Sequence, residues 1–327
     1  MDKIAIIIPY FGKLPSFYKL WEVTAEANST VDFYIFTDSD EICSHQNIHV
    51  VSISFSEFKE ILQKQFDFPI ACRTPYKLCD YKPVYGNAFH EMLQPYDWWG
   101  YCDLDLLLGD IRKFFSATIL SQYDRCQYLG HLSIYRNCSR MNDLYKVQEG
   151  GYPALNYETV YQSEESFYFD EARGMYTKGL LEKISVFRET SFRDPMETQR
   201  KFYDKSVSAD NQFVVLWENG KCWSVRPDGD RTELLYAHFF RRTFEIPSNL
   251  EAIERIKIVP RRAIVNAKIE AADFHYAEGY FYKYAYLTRN LLRSIRRYGL
   301  IRTVMRQNWS RHHNRYVRDL EKITERT

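Results

Sequence analysis

The chain opens on Ile4-Ala5-Ile6-Ile7-Ile8, an unbroken apolar run closed by Pro9-Tyr10-Phe11-Gly12. A short apolar run bounded by breakers reads as a strand buried on both faces. A helical stretch is predicted over 16–27. A second apolar run, 31–36, ends in Thr37-Asp38-Ser39-Asp40, and 49–53 predicts a third strand. Phe58, Ile61, Leu62 and Phe66 recur at helical spacing over 56–66. Strand, helix, strand, strand, helix within the first 70 residues predicts a mainly parallel sheet covered by helices. Ligands of such sheets bind beyond the carboxyl ends of the strands, so residues 9–12 and 37–40 fall on one rim.

Residues 82–93 read as one buried helix, and the aromatic run Trp98–Cys102 as a strand leading into Asp103-Leu104-Asp105. A strand pair is predicted over 126–134 with Gly130-His131 inside it. The Tyr- and Glu-rich stretch 150–200 predicts long loops with short helices. Runs 212–217 and 221–225 flank Glu218-Asn219-Gly220, and Asn-Gly marks a tight hairpin. One more apolar run covers 234–240, and beyond about 245 the pattern turns helical to the end. The expectation is an α/β domain over 1–245 and a helical extension over 246–327.

Composition supports a globular chain: 45% hydrophobic, 27% charged, with only 13 Gly and 11 Pro in 327 residues, which excludes low-complexity sequence. The 26 Tyr and 22 Phe supply a large core and rings for the walls of a polar cleft. Seven cysteines are scattered without a CxxC, as expected of buried thiols in a reducing compartment. The first apolar run is too short for a signal peptide, and no stretch approaches the ~20 apolar residues of a membrane span. A cytoplasmic protein, soluble or attached to a membrane face, is expected.

Charge is uneven. Residues 281–327 hold 12 Lys or Arg and 3 Asp or Glu, so with a formal net charge of +1 the rest carries −8. In the tail Tyr284, Leu287, Leu291, Ile295, Tyr298 and Ile301 share one helical face, with arginines beside or opposite it. A basic amphipathic helix suits an anionic membrane surface; packing on the domain with solvated arginines is the alternative. Nucleic acid is set aside as a partner because no recognition module accompanies the basic tail.

Asp103 and Asp105, two carboxylates at i and i+2, point the same way on an extended chain. At the end of a buried strand they repel one another unless a divalent cation lies between them. Mg²⁺ and Mn²⁺ take such oxygens together with substrate phosphates. A solvated strand end is the competing reading. Phe167-Tyr168-Phe169-Asp170-Glu171 carries two acids suited to deprotonating a hydroxyl, or to the start of a helix. Asp210 is the competing base.

Four segments carry a resemblance. They are Ile6-Ile7-Ile8-Pro9-Tyr10-Phe11-Gly12, Phe36-Thr37-Asp38, Thr74-Pro75-Tyr76-Lys77-Leu78-Cys79-Asp80-Tyr81-Lys82-Pro83 and Trp99-Gly100-Tyr101-Cys102-Asp103-Leu104-Asp105. Over residues 1–245 the chain resembles nucleotide-sugar glycosyltransferases of the GT-A fold. Within them it resembles a bacterial group linked to capsular and O-antigen polysaccharide synthesis, some of whose members look like galactofuranosyltransferases. The resemblance implies a metal-dependent enzyme moving a sugar from a UDP-sugar to a hydroxyl of a lipid-linked surface glycan. It would sit peripherally on the inner face of the plasma membrane. Pro9, Tyr10, Phe11 and Gly12 would lie under the nucleotide, and Asp38 at its base or ribose. Lys77 and Asp80 would lie beside it, unless they form a surface ion pair. Asp103, Asp105 and His238 would hold Mn²⁺ or Mg²⁺ against the diphosphate, with Asp103 also at the donor, and Arg241 and Arg242 would grip the phosphates. Asp170 or Glu171 would be the base on the acceptor side, and Gly130-His131 would line the pocket or sit in the core.

Other enzyme classes lack their parts: there is no GxGxxG after the first strand, no GxxxxGK[ST] and no GxSxG. A nucleotidyl or phosphosugar transferase using the same acidic pair, or a non-catalytic nucleotide-sugar-binding protein on a GT-A scaffold, remains the alternative.

Overall fold

The computed structural model describes residues 1–274 except 43, 149–155, 196–201, 204–211, 240–243, 248–251 and 261, together with isolated positions beyond 274. The chain divides into two compact units, Met1–Thr190 and Ser191–Thr327.

The first unit carries strands β1 (Ile4–Pro9), β2 (Val31–Thr37), β3 (Ile48–Ser52), β4 (Trp98–Cys102), β5 (Leu106–Leu108), β6 (Arg125–Leu129), β7 (Leu132–Arg136) and β8 (Val186–Phe187). Helices α1 (Tyr18–Glu26) and α2 (Phe55–Gln63) follow β1 and β3. Seven of the strands form one sheet in the order β3-β2-β1-β4-β7-β6-β8. The pairs β1–β2, β2–β3, β1–β4 and β6–β8 are parallel, while β4–β7 and β6–β7 are antiparallel. The sheet is therefore mixed and mainly parallel, as the alternation of elements predicts.

The central β1 earns its continuous apolar run by burial: Ile4 through Ile8 are at most 2% exposed. On α1, Trp21 meets Phe33 of β2 edge-on at 5.5 Å. On α2, Phe58 packs against Phe36 of β2 at 5.4 Å and against Phe11 at 5.5 Å. Helix α2 starts at a capping box, in which the Ser54 hydroxyl accepts from the Glu57 N–H and Glu57 Oε2 accepts from the Ser54 N–H. From β1 the chain moves outward to β2 and β3, then returns to β4 on the other side of β1. The carboxyl ends of β1 and β4 thus flank a topological switch point.

Two local predictions change. Residues 82–93 are not one helix but three short turns, Lys82–Val84, Tyr85–Ala88 and His90–Leu93. Pro83 contributes no N–H, and Phe89 leaves the helical region at φ −115°, ψ 27°. Asp103-Leu104-Asp105 lies in the turn between β4 and β5 and not on an extended strand end.

In the second unit, β9 (Phe192–Arg193), β10 (Phe202–Tyr203), β11 (Gln212–Glu218), β12 (Lys221–Val225), β13 (Arg231–Leu234), β14 (Tyr236–His238), β15 (Arg255–Val259) and β16 (Arg262–Val265) are described. An antiparallel sheet runs β13-β12-β11-β15-β16, with β10 paired to β11. Strand β14 pairs with β9 in parallel. The predicted β11–β12 hairpin turns through Asn219 at φ 52° and Gly220 at φ 75°, the left-handed pair of a type I′ turn. Val214, Leu216, Val225 and Val259 form its core.

Strands β15 and β16 correct the expectation of helix from about 245 onward. Lys257 disguises the strand pattern: it is 3% exposed because its ammonium donates to Asp273 Oδ2 and to the Lys268 carbonyl, both at 2.7 Å. The observed division after Thr190 also differs from the expected one near 245, which falls inside the second unit. The amphipathic tail lies outside the described residues apart from isolated positions. Among the described residues no helix is long and apolar enough to cross a membrane, and the six described cysteines form no disulfide.

Candidate functional site

The loop after β1 is held to β2 at both of its ends. The Tyr10 N–H continues the pairing with β2 by donating to the Phe36 carbonyl at 2.8 Å. Phe11 turns inward against Phe55 and Phe58. Gly12 is exposed at φ +89°, a conformation that only glycine takes without strain, and its N–H donates to Asp38 Oδ1 at 2.8 Å. Tyr10 is half-buried. Its phenol is pushed up by burial and, next, by the negative charge of Asp105 across the switch point.

Asp103 and Asp105 bracket the buried Leu104 in the β4–β5 turn. The Asp103 N–H donates to the His131 carbonyl at 2.9 Å. The turn brings a carboxylate oxygen of each aspartate within 4.8 Å of the other. Two hard oxygen donors at that separation fit Mg²⁺ or Mn²⁺ and do not suit a soft metal.

Behind this pair lies a residue that the sequence reading passed over as part of a motif. The buried ammonium of Lys82 donates to Asp103 Oδ1 at 2.7 Å and to the Gly130 carbonyl at 2.8 Å, and lies 3.2 Å from Asp170 Oδ2. It also sits 5.2 Å from the centre of the Tyr101 ring. Burial alone would lower the Lys82 pKa, but Asp103 and Asp170 together raise it well above the ordinary lysine value. A lysine inside a stretch predicted to be buried was the available signal, since such a charge demands partners.

Asp170 is 2% exposed. Burial pushes its carboxyl up to about 7 against the opposing pull of Lys82, with Glu171 and other acids adding to the rise. Gly130 leaves room for it, because a Cβ there would collide with the Asp170 carboxylate. The Tyr101 hydroxyl donates to the Asp170 carbonyl at 3.1 Å. Asp170 is therefore the buried charge partner of Lys82. Its neighbour Glu171 is half-exposed. His131, also half-buried, reaches the site through its carbonyl.

Lys77 and Asp80 do not form a surface pair. They are 2% and 0% exposed. The Lys77 ammonium donates to Asp80 Oδ2 at 2.8 Å, the Val160 carbonyl at 2.9 Å and the Glu165 carbonyl at 2.6 Å. The Asp80 carboxylate accepts from the Phe167 and Phe169 N–H groups at 3.0 Å each. All three ammonium protons are engaged within the chain, which leaves none for a phosphate. The pair is a strut that fixes the segment leading to Asp170.

In the second unit His238 is 3% exposed, with Nδ1 2.9 Å from Asp194 Oδ1. A carboxylate on Nδ1 holds the proton there and leaves the lone pair on Nε2, the arrangement that orients metal-ligating histidines. Arg241, Arg242 and Asp210 lie outside the described residues.

A family profile matches residues 6–267, from within β1 to just beyond β16. The chain belongs to DUF6625, a family of unknown function. Its matched segment contains Asp103, Asp105, Lys82, Asp170 and His238, and stops short of the basic tail. No curated protein matches the chain.

Proposed function

We propose that this DUF6625 protein is a metal-dependent glycosyltransferase of GT-A type. It takes a sugar from a UDP-sugar and passes it to a hydroxyl of a growing, lipid-linked surface glycan. The observation that supports this most is the position of loop 9–12 and the Asp103–Asp105 turn. They flank one switch point, close enough for the charge of Asp105 to be felt at Tyr10. Sheets of this topology hold nucleotides there.

In this reading Tyr10 and Gly12 line the nucleotide, and Asp38, held by Gly12 through Oδ1, presents Oδ2 to the ribose or base. Asp103 and Asp105 present oxygens for Mn²⁺ or Mg²⁺. When bound, the ion neutralises charge that develops on the diphosphate leaving group. The resemblance adds His238, whose tautomer Asp194 sets, and the phosphate-binding pair Arg241 and Arg242. Glu171, half-exposed beside the buried Asp170, is the better candidate for taking the proton of the acceptor hydroxyl. The basic tail brings the enzyme to an anionic membrane face where a lipid-linked acceptor resides.

A thermal-shift panel of nucleotides and nucleotide sugars with and without Mn²⁺ tests the reading, because a ligand that binds only the folded state raises its stability. UDP and a UDP-sugar are expected to raise Tm only with the metal, and UDP is expected to be released during turnover. Release of pyrophosphate would identify a nucleotidyltransferase. UDP binding without turnover on any acceptor would identify a non-catalytic binding protein. No shift with any nucleotide would end the proposal.

A further inference from the structure

Four chain segments converge on the Lys82 ammonium. The turn Lys82–Val84 supplies it, the β4–β5 turn supplies Asp103, the β6–β7 turn supplies the Gly130 carbonyl, and the loop after Phe169 supplies Asp170. An ammonium has three protons, and three acceptors lie around this one. Two protons are engaged in hydrogen bonds and the Asp170 carboxylate lies 3.2 Å away as the ion-pair partner, so the ammonium is held within the chain. What it does, it does through Asp103.

We propose that Lys82 is a positioning residue for the divalent cation: it holds Asp103 Oδ1 and so presents Oδ2 alone to the metal. The inference rests on the metal reading of Asp103 and Asp105 given above. Left unheld, the half-exposed Asp103 carboxylate would sample several rotamers and chelate or face solvent, and each binding event would have to order it. With Oδ1 fixed at 2.7 Å from a buried ammonium, that ordering is complete before the ion arrives. Asp170 has a separate task. Its negative charge balances the buried ammonium, and Gly130 gives it the space to do so.

The two tasks separate in a double variant. Lys82→Met/Asp170→Asn removes one positive and one negative charge, so the net charge near Asp103 is unchanged when Asp170 is ionised. It also strands neither buried charge. The probe is Mn²⁺ alone, without nucleotide, titrated into the full chain at pH 8 and followed by the electron paramagnetic resonance signal of the free ion. Circular dichroism and Tm report folding. The double variant is expected to fold and to bind Mn²⁺ about 10–100-fold more weakly than the natural chain, the usual cost of losing an outer partner of a metal ligand. Wild-type affinity in the folded double variant would overturn the proposal, since Lys82 would then serve only to neutralise Asp170. Tighter binding would overturn it too, since the ammonium would then act only as a competitor of the metal.

Asp170→Asn alone provides a second test should the double variant fail to fold. Because that single variant also makes the charge beside Asp103 more positive by one, its affinity is compared with that of Lys82→Leu/Asp170→Asn, which like the methionine double variant leaves the net charge unchanged. The leucine double variant is expected to bind Mn²⁺ about 10-fold more weakly than the natural chain, and wild-type affinity in it would overturn the proposal. Asp105→Asn separates this inference from the metal reading itself. If the natural chain binds no Mn²⁺, or Asp105→Asn binds it as well as the natural chain does, the metal reading fails and the role of Lys82 falls with it. If Asp105→Asn loses Mn²⁺ while Lys82→Met/Asp170→Asn retains it, only the role of Lys82 fails.

Discussion

The Gly12 N–H donates to Asp38 Oδ1 at 2.8 Å, so the carboxylate at the end of β2 pins the loop that follows β1. Two positions that sequence inspection reads as independent features of one rim are a single unit. Asp38→Ala should leave the fold intact, because the side chain is exposed, and should weaken metal-dependent UDP binding about tenfold, the ~1.4 kcal/mol of a lost charge-assisted hydrogen bond. Equilibrium titration checks this, and unchanged affinity would move the nucleotide away from the rim. Gly12→Ala meets no atom within 4 Å of the new Cβ, so its cost is that of the backbone conformation alone. Urea unfolding should show a loss of about 1–3 kcal/mol.

Asp105→Asn keeps the shape of the β4–β5 turn and removes the charge felt at Tyr10. The variant should show native circular dichroism and no stabilisation by UDP plus Mn²⁺. The same Tm rise as in the natural chain would place the metal, or the nucleotide, elsewhere.

Lys77→Met breaks a pair that is almost wholly excluded from solvent and leaves Asp80 with an uncompensated buried charge. The expected loss is about 3–5 kcal/mol in urea unfolding. At a temperature where the variant is folded, its UDP affinity should equal that of the natural chain. A selective loss of UDP binding would restore Lys77 to the nucleotide site.

Two buried groups give stability a pH dependence of opposite sign in separate windows. Burial pushes the Lys178 amine down to about 7, and it lies 5.3 Å from the centre of the Phe169 ring. An unfolded lysine titrates near ~10.4, so between about 7 and 10 the unfolded chain binds the extra proton and stability rises with pH. Lys178→Met should abolish that rise. Asp170 is pushed up to about 7, above its unfolded value near ~3.9, so the folded chain holds the extra proton between about 4 and 7. Stability from this group falls as pH rises through that window and is level above it. Asp170→Asn should remove the fall. Urea midpoints at acid, neutral and alkaline pH, compared across the three chains, decide both.

The tail calls for a binding measurement. Sedimentation with anionic vesicles should be lost on truncation after about residue 280 and weakened by salt. A full-length chain that stays in the supernatant at low salt would show that the arginines are solvated and the apolar stripe packs elsewhere.

The sequence by itself determined the elements whose signal is local. Ile4 to Ile8 specify a central strand because an uninterrupted apolar run, β-branched at four of its five positions, is best placed where both faces of a strand are buried. Asn219-Gly220 specifies a hairpin because few residue pairs accept two positive φ angles. The order of strands and helices specified a mainly parallel sheet, and with it the rim that carries residues 9–12, Asp38 and the Asp103–Asp105 turn. The tertiary structure decided which charges are buried and with whom. Lys77 finds Glu165 across 88 positions of sequence, Lys257 is hidden by Asp273, and Lys82 joins Asp103 to Asp170. Such partners obey no helical or strand period, because a buried ammonium is stabilised by whichever acceptors the packing of distant segments delivers. For the same reason the pairing of Asp170 with Lys82 was not legible in the sequence, and Lys257 masked a strand whose stability comes from pairing with β11.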